Sequence, residues 1–442
     1  EIGVRLVGSE MCIRDRILYQ DIWSRFYFMR RNKMFSINFS SALEVKRWFL
    51  ALLLIMFNTH YLLVDFGLIS ITKLTVMALC PFLLLSFHKN ISKPLIIALL
   101  YLLAIYICAL QHPAQFRMTT IIYTALYVFL LVTFTTILYS EENVLTLNFA
   151  IKLLNRLIWI YILVVIAQQL FILIGIRHFT PLNLGGDSYL EVNRVPGLSL
   201  EPSHSGRIMC VAFYAWLKLN EFQKGVKIDI HYLWAYERRF VLAFLYAMLF
   251  MGSATAVLAL ILLSFYFINR RSLLILPIVL IVVLFINERV EFKALNRTIK
   301  MIAVVSEGDK KSIGKTDGSA AYRIYPIINT IESDISKKEF WIGNGIDSAK
   351  NKLGLIDLRK SKIGNINDYG FICYTLLLLL IYSCAIYRFF SLETLFFVIL
   401  MSCTLANVYY SWGIMIIFTI IRYFQIKYEC GNLRIEECDE TE

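Results

Sequence analysis

The sequence predicts an all-α membrane protein, a polytopic bundle of about 12 transmembrane helices with two large extracytoplasmic loops. Of its 442 residues, 58% are hydrophobic and 14% are aromatic, which is too apolar for a soluble globular chain of this length. Apolar runs of about the length that crosses ~30 Å of hydrocarbon recur along the chain. Basic residues concentrate in the short connections between these runs, the pattern of cytoplasmic loops in membrane proteins.

The first 47 residues divide into two parts. Residues 1–16 have the sequence E-I-G-V-R-L-V-G-S-E-M-C-I-R-D-R, lack an initiating Met and resemble translated adapter sequence, so we expect a non-native leader. Residues 17–47 are basic and are expected to form a cytoplasmic N-terminal segment. The long apolar run from Trp48 has no A-x-A-like cleavage site after it. It therefore predicts a retained first span rather than a signal peptide.

Twelve apolar runs predict the spans. They lie at about 48–66, 70–87, 94–110, 118–139, 157–176, 207–222, 239–251, 254–268, 273–287, 369–388, 393–411 and 413–426. Transmembrane helices thus occupy residues 48–176, 207–287 and 369–426, separated by loops at 177–206 and 288–368 and followed by a cytoplasmic tail at 427–442. Gly252 and Ser253 mark either a tight hairpin or a break in one long helix.

The basic connections also predict the orientation. Counting spans alternately from a cytoplasmic N-terminus puts most of the Lys and Arg of the short connections inside. The same count places both large loops outside, although the charges of these loops did not enter the choice of orientation. We expect one extracytoplasmic site, and no repeat or buried basic residue within the spans.

The loop at 288–368 holds fifteen Lys and Arg against eleven Asp and Glu, a net charge of +4. This excess suits an anionic ligand, although lysines that keep a surface soluble explain most of it. Arg323 is the exception, because A-A-Y-R-I-Y-P-I-I sets it in a tyrosine-rich helical pattern where a guanidinium can pair with phosphate. The net charge of +12 does not imply nucleic acid, because orientation signals and anionic lipid explain it.

Residues 194–207, R-V-P-G-L-S-L-E-P-S-H-S-G-R, form a polar, turn-rich segment between two long apolar runs. Its prolines and glycines, Pro196, Gly197, Pro202 and Gly206, are expected to hold the backbone out of regular helix. Glu201 is an acidic group at the membrane edge, which is unfavourable unless it is solvated, paired or used. The segment is either the active site or an ordinary solvated loop.

No cofactor or metal is expected. The segment G-D-K-K-S-I-G-K-T imitates a phosphate-binding loop but has five residues between its glycines where the motif needs four. Glu332 and Asp334 form the nearest acidic pair, and the lysines that follow favour a solvated helix face. His112, His178 and His204 lack metal-ligand spacing.

The motifs resemble one known family, the bacterial O-antigen and capsule repeat-unit polymerases of the Wzy type. Arg194 with G-L-S-L-E-P-S-H-S-G resembles the segment that these proteins carry in their central outer loop. G-S-A-T at 252–255, Arg323, W-I-G-N-G-I at 341–346 and N-D-Y-G at 367–370 resemble later family features. The similarity covers about 48–426 as architecture, and only the Glu-Pro-Ser segment is specific.

The resemblance implies a multi-pass enzyme of the bacterial cytoplasmic membrane that joins undecaprenyl-diphosphate-linked oligosaccharides into polysaccharide at the outer face. Its partners would be those lipid-linked oligosaccharides, the bilayer, a chain-length regulator and a flippase. Glu201 and Arg194 are the expected catalytic residues. The expected substrate-binding residues are Arg207, His204, Ser203, Arg323 and Asn367.

Two alternatives remain open at the level of sequence. Related O-antigen ligases share the architecture and usually place a histidine near the end of the long loop, where this chain has I-G-N-I-N-D-Y-G. A polysaccharide-lipid flippase or other transporter also needs many spans. The absence of a repeat and of basic residues inside the spans argues against a transporter.

Overall fold

A computed structural model describes residues 39–60, 71–87, 92–115, 117–176, 192, 194–268, 296, 334–346, 366–402 and 409–431. The predicted leader at 1–16 and the predicted span at 273–287 lie outside these ranges. Within them the regular structure is helical and no strand is formed. The chain divides at Lys46 into two units, of which the first contributes only the start of one helix to the described residues.

Thirteen α-helices are described. They are α1 Phe39–Asn58, α2 Ile71–Phe87, α3 Lys93–Gln111, α4 Met118–Leu138, α5 Leu147–Leu173, α6 Pro202–Lys224, α7 Ile230–Tyr236, α8 Arg238–Phe250, α9 Ala254–Ser264, α10 Lys338–Ile342, α11 Ile366–Cys384, α12 Leu392–Phe396 and α13 Tyr409–Glu429. A 3-10 turn, Phe265–Phe267, extends α9, and a π turn, Phe397–Ser402, extends α12.

Three of the described helices, α3, α4 and α5, are long and apolar enough to cross a membrane. Four shorter apolar helices accompany them: α2, α9 with its 3-10 turn, α11 from Asp368, and α12 with the start of its π turn. These findings confirm the all-helical class of the described residues and are consistent with a membrane protein. The count of twelve spans stays a prediction.

Helices α6 and α13 are more polar than α3, and they face protein. Nearly every side chain of α6 and most of those of α13 are buried, whereas α3 exposes leucines and isoleucines along its length. In a membrane, helix surfaces that pack on other helices carry the small and polar residues, and lipid-facing surfaces stay apolar. Polar groups inside α6 are therefore enclosed by the bundle.

Three helices have bounds that differ from those of the predicted spans. Helix α1 runs from Phe39 to Asn58 rather than over 48–66. Helix α5 begins at Leu147 rather than 157, because the Thr146 side chain caps it by accepting a hydrogen bond from the Phe149 N–H at 3.4 Å. Helix α13 begins at Tyr409 and continues through the predicted break near 412.

Helices α6 and α9 run parallel, side by side. A side chain on Gly206 would place its Cβ 2.6 Å from the Ala256 Cβ, and the Cys210 thiol donates a hydrogen bond to the Ala259 carbonyl at 3.1 Å. Successive residues along one helix thus meet successive residues along the other. Helix α8 joins them antiparallel, so Gly252 and Ser253 form a hairpin.

Helix α13 is parallel to α6 in the same way. The His204 and Tyr410 rings stack with centroids 3.8 Å apart, and at the other end of the helices Phe222 and Tyr428 lie 5.3 Å apart. The N-termini of α6, α9 and α13 consequently lie at one level. We call this end of the bundle, marked by Glu201, His204 and Tyr410, the site end.

The opposite end carries basic side chains and is called the basic end. Arg47 Nε donates to the Val144 carbonyl at 3.1 Å, and Lys427 donates to the side chain of Asn143 at 3.3 Å. Arg422 donates to two carbonyls at the end of α11. Connections that the charge count assigns to the cytoplasm therefore gather at this end.

Candidate functional site

Residues 194–200 lie across the site end and are fixed there by a buried glutamine of α5. The Gln168 amide donates to the Gly197 carbonyl at 3.0 Å and accepts from the Gly197 N–H at 2.9 Å. Both backbone groups of Gly197 are thereby satisfied by one side chain. A buried amide inside an apolar span is unfavourable unless it is paired, so this pairing specifies where the segment lies.

Three further hydrogen bonds attach the same segment to its neighbours. The His60 N–H, just beyond α1, donates to the Leu198 carbonyl at 2.8 Å. The Ser205 hydroxyl, in the first turn of α6, donates to the Pro196 carbonyl. The Tyr161 hydroxyl lies 3.4 Å from Ser199 Oγ. The segment is therefore held by side chains and backbone from α1, α5 and α6 together.

The predicted loop ends five residues earlier than expected, because α6 begins at Pro202. Proline is favoured at the first helical position, where its missing N–H would have no intrahelical partner. Gly206 lies inside the helix and permits its close contact with Ala256. The expectation that Pro202 and Gly206 hold the backbone out of helix was wrong, since both residues serve the helix.

Glu201 occupies the position just before α6, with extended backbone angles. Its Oε2 atom accepts a hydrogen bond from the Ser203 hydroxyl at 3.3 Å and lies 3.5 Å from His204 Nε2. The Glu201 side chain is 33% exposed, whereas that of His204 is 6% exposed. The carboxylate is thus open on one side and oriented by two neighbours on the other.

Two buried groups lie behind this carboxylate. The His204 ring stacks on Tyr410 with an angle of 21° between the rings. Arg207, one turn further along α6, is 1% exposed, and its Cζ lies 5.8 Å from the centre of the same Tyr410 ring. A guanidinium over an aromatic face is stabilised by the ring quadrupole. Tyr410 therefore supports both His204 and Arg207.

The helix ends add positive potential to these side chains. The N-termini of α6, α9 and α13 lie at one level, and each carries a partial positive charge from aligned peptide dipoles and N–H groups without intrahelical partners. In α6 and α9 the residue before the helix makes no side-chain capping hydrogen bond. Negative charge is favoured at this end of the bundle.

Lys73 in α2 corrects the expectation that the spans contain no buried basic residue. It is 2% exposed, and its ammonium donates to the carbonyls of Thr59 and His60, the latter at 3.2 Å. The same nitrogen lies 4.1 Å from the centre of the Tyr409 ring. Lys73 and Arg207 are thus two buried cations, each against one ring of the Tyr409–Tyr410 pair.

A second irregular contact at the site end joins two of the motifs noted in the sequence. Gly343 of W-I-G-N-G-I meets Gly370 of N-D-Y-G so closely that a Cβ on Gly343 would lie 2.7 Å from the Gly370 nitrogen. The Gly345 N–H donates to the Asp368 carbonyl at 3.1 Å. The His112 Nε2–H donates to the Gly343 carbonyl at 3.1 Å. The end of the long loop is therefore attached to α3 and α11.

The predicted site residues are distributed unevenly. Glu201, Ser203 and His204 form one cluster, and Arg207 joins it through Tyr410. Arg194 is half-buried and lies two residues before Pro196. Asn367 is in the first turn of α11, with its side chain outside the described residues, and Arg323 lies outside them altogether.

Sequence analysis missed Gln168, Lys73 and the Tyr409–Tyr410 pair. A glutamine and a lysine within apolar runs are the kind of signal that could have found the first two. The tyrosines carried no signal, because aromatic residues are abundant in this chain. Among the described residues, no group of three or more His, Cys, Asp or Glu side chains could hold a metal ion.

Comparison of the chain with family models, curated proteins and solved structures gave no match.

Proposed function

We propose that this protein polymerises undecaprenyl-diphosphate-linked oligosaccharide repeat units into O-antigen or capsular polysaccharide at the outer face of the bacterial cytoplasmic membrane. The observation that supports it best is the oriented, half-open carboxylate of Glu201 at the level of three helix N-termini. Glycosyl transfer from a lipid diphosphate needs a base for one substrate and positive potential for the other. The site end offers both within one turn of α6.

Glu201 is the proposed general base. The acceptor hydroxyl attacks the anomeric carbon of the growing chain, its oxygen forms the new glycosidic bond, and its proton passes to the Glu201 carboxylate. The bond between the anomeric carbon and the diphosphate oxygen breaks, and the lipid diphosphate leaves as an anion. Hydrogen bonding by Ser203 and contact with His204 fix one carboxylate oxygen, so the other can face the acceptor.

The leaving diphosphate is stabilised electrostatically and without metal in this proposal. Arg194, half-buried at the start of residues 194–200, is assigned direct bidentate contact with phosphate oxygens. Arg207 is almost fully enclosed, so we assign it a buried charge that raises the local potential rather than a direct contact. Arg323 is the further proposed phosphate ligand, supplied by the long loop.

A deletion strain tests the reaction class. Without a polymerase, cells should still make and export single repeat units, and should still attach one unit wherever a ligase acts. Only the ladder of long chains should vanish from a polysaccharide gel. Restoring the gene should restore the ladder, which controls for effects on neighbouring genes.

The same strain separates the alternatives. Losing a ligase would leave long polymer stranded on its lipid carrier, and losing a flippase or other transporter would trap single units on the cytoplasmic face. The transporter alternative gains one argument from the structure, because Lys73 and Arg207 are basic residues buried within the bundle of the kind that line substrate pathways. Stranded polymer or trapped units would each refute polymerisation.

A further inference from the structure

Three aromatic side chains form one cluster where the long loop meets α11. Phe340 and Phe371 stack with ring centroids 5.3 Å apart, and Trp341 packs edge-on against both at 5.5 and 5.6 Å. We call Phe340, Trp341 and Phe371 the aromatic cluster. Two of the three rings belong to α10 and one to α11, so the cluster joins the loop to a bundle helix.

The backbone beneath the cluster is fixed. Gly343, two residues after Trp341, is in direct contact with Gly370, which directly precedes Phe371. The Trp341 indole N–H donates to the Ile335 carbonyl at 2.9 Å, which satisfies the only polar group of the three rings. The cluster therefore keeps one position relative to α11.

That position is at the end of a membrane-spanning helix. His112, which donates to the Gly343 carbonyl, directly follows α3, and α3 is a 19-residue apolar helix. A helix of that length is about 28 Å long, close to the thickness of the hydrocarbon core. The aromatic cluster consequently lies at the level where hydrocarbon gives way to headgroups.

The cluster also continues an exposed apolar face. Trp341 is 42% exposed and Phe371 is 37% exposed, and Ile335 and Ile372 beside them are exposed as well. Seven residues further along α11, on the same helix face as Ile372, Leu379 is exposed too. The exposed surface thus continues from the cluster along the side of α11. Between Ile372 and Leu379, Thr375 is the only exposed polar residue.

We propose that the aromatic cluster is seated in the bilayer interface and contacts lipid, so that it anchors the end of the long loop to the membrane surface. Aromatic rings accumulate at this depth in membrane proteins, and here the one polar group of the cluster is already bonded to the Ile335 carbonyl, so the exposed ring surface that meets lipid is apolar. The exposed segment before the cluster carries no net charge, because Asp334 and Glu339 match Lys337 and Lys338 and Lys337 lies 4.0 Å from Asp334, so the apolar rings make the proposed lipid contact. A lipid surface fits better than a protein partner, because the exposed face is continuous with the side of α11.

Quenching of Trp341 fluorescence tests this anchor. Wild-type protein and Trp341→Phe are reconstituted in phosphatidylcholine vesicles, and the difference between their emission spectra isolates Trp341. Bromines placed on the acyl chains near the headgroup should remove more than about half of that emission, and bromines near the terminal methyl should remove less. Aqueous iodide should have little effect.

Trp412 provides the matched control, because it is 1% exposed and stacks on Tyr127 inside the bundle. The emission lost in Trp412→Phe should resist both quenchers. Iodide quenching of Trp341 without bromolipid quenching would show a water-exposed patch, and resistance to both would show a protein cover; either result overturns the anchor. If Trp341→Phe does not fold, Trp341→Tyr gives the same difference measurement.

Discussion

Two irregular segments meet the site end, and they are held by opposite means. Residues 194–200 are fixed by side chains that bind backbone, above all Gln168 on Gly197. The contact between Gly343 and Gly370 uses backbone against backbone, with no room for a side chain on either residue. Both solve the same problem, which is to satisfy non-helical backbone where a span ends.

The difference teaches which sequence changes each segment tolerates. The glycine contact excludes any side chain, whatever its polarity. Residues 194–200 instead need a donor and an acceptor at Gln168, because buried backbone groups without partners are unfavourable. Substitutions that add volume should therefore damage the contact between Gly343 and Gly370 most. Substitutions that remove hydrogen bonds should damage the attachment of residues 194–200 most.

The largest expected effect on stability is that of Gly370→Ala. The new Cβ would meet the backbone of residues 341–343, including the Gly343 nitrogen at 2.6 Å, and φ at this position is +83°. Steric overlap and a left-handed conformation together should lower the free energy of unfolding by about 3 kcal/mol or more. Chemical or thermal unfolding of the purified protein in detergent measures the loss.

Gly225→Ala is the matched control, because Gly225 has a similar φ of +68° with nothing within 4 Å of its added Cβ. It should lose only about 1 kcal/mol, the conformational part alone. Equal losses from the two variants would show that the close contact between Gly343 and Gly370 does not contribute.

Gln168→Leu should have the next largest effect. The substitution keeps the volume but leaves the N–H and C=O of Gly197 buried without the Gln168 amide, which should lower the free energy of unfolding by about 2 kcal/mol. Gln425→Leu controls for the chemical change, because the Gln425 amide bonds to an exposed side chain of its own helix. Unfolding midpoints that shift equally for both variants would contradict the role of Gln168.

Sequence patterns predicted the parts of this fold that depend on periodicity and charge. The helical class followed from apolar runs, and the basic connections gather at one end of the bundle. The first turn of α6 was mistaken for loop, because Pro202 and Gly206 break helices at most positions and only the neighbouring Ala256 shows why Gly206 does not. The pairing of Gln168 with Gly197, 29 residues apart in sequence, depends on tertiary packing that no local pattern records.

The smallest expected effect on stability is that of Glu201→Gln, and it should nevertheless abolish function. The carboxylate is a third exposed, and partly exposed pairs contribute less than about 1 kcal/mol. The amide is nearly the same size but cannot take up the acceptor proton. Stability and activity should thus separate at Glu201, unlike at Gly370 and Gln168, where loss of folding would remove both.

The most direct test is extension of lipid-linked repeat units by the purified protein. Single units extracted from the deletion strain are incubated with wild-type protein or Glu201→Gln in the presence of a metal chelator, and the products are resolved by length. We predict long polymer from the wild type and none from Glu201→Gln at an unchanged unfolding midpoint. Polymer of normal length from Glu201→Gln, or strict dependence of the wild type on a divalent metal, would contradict the account.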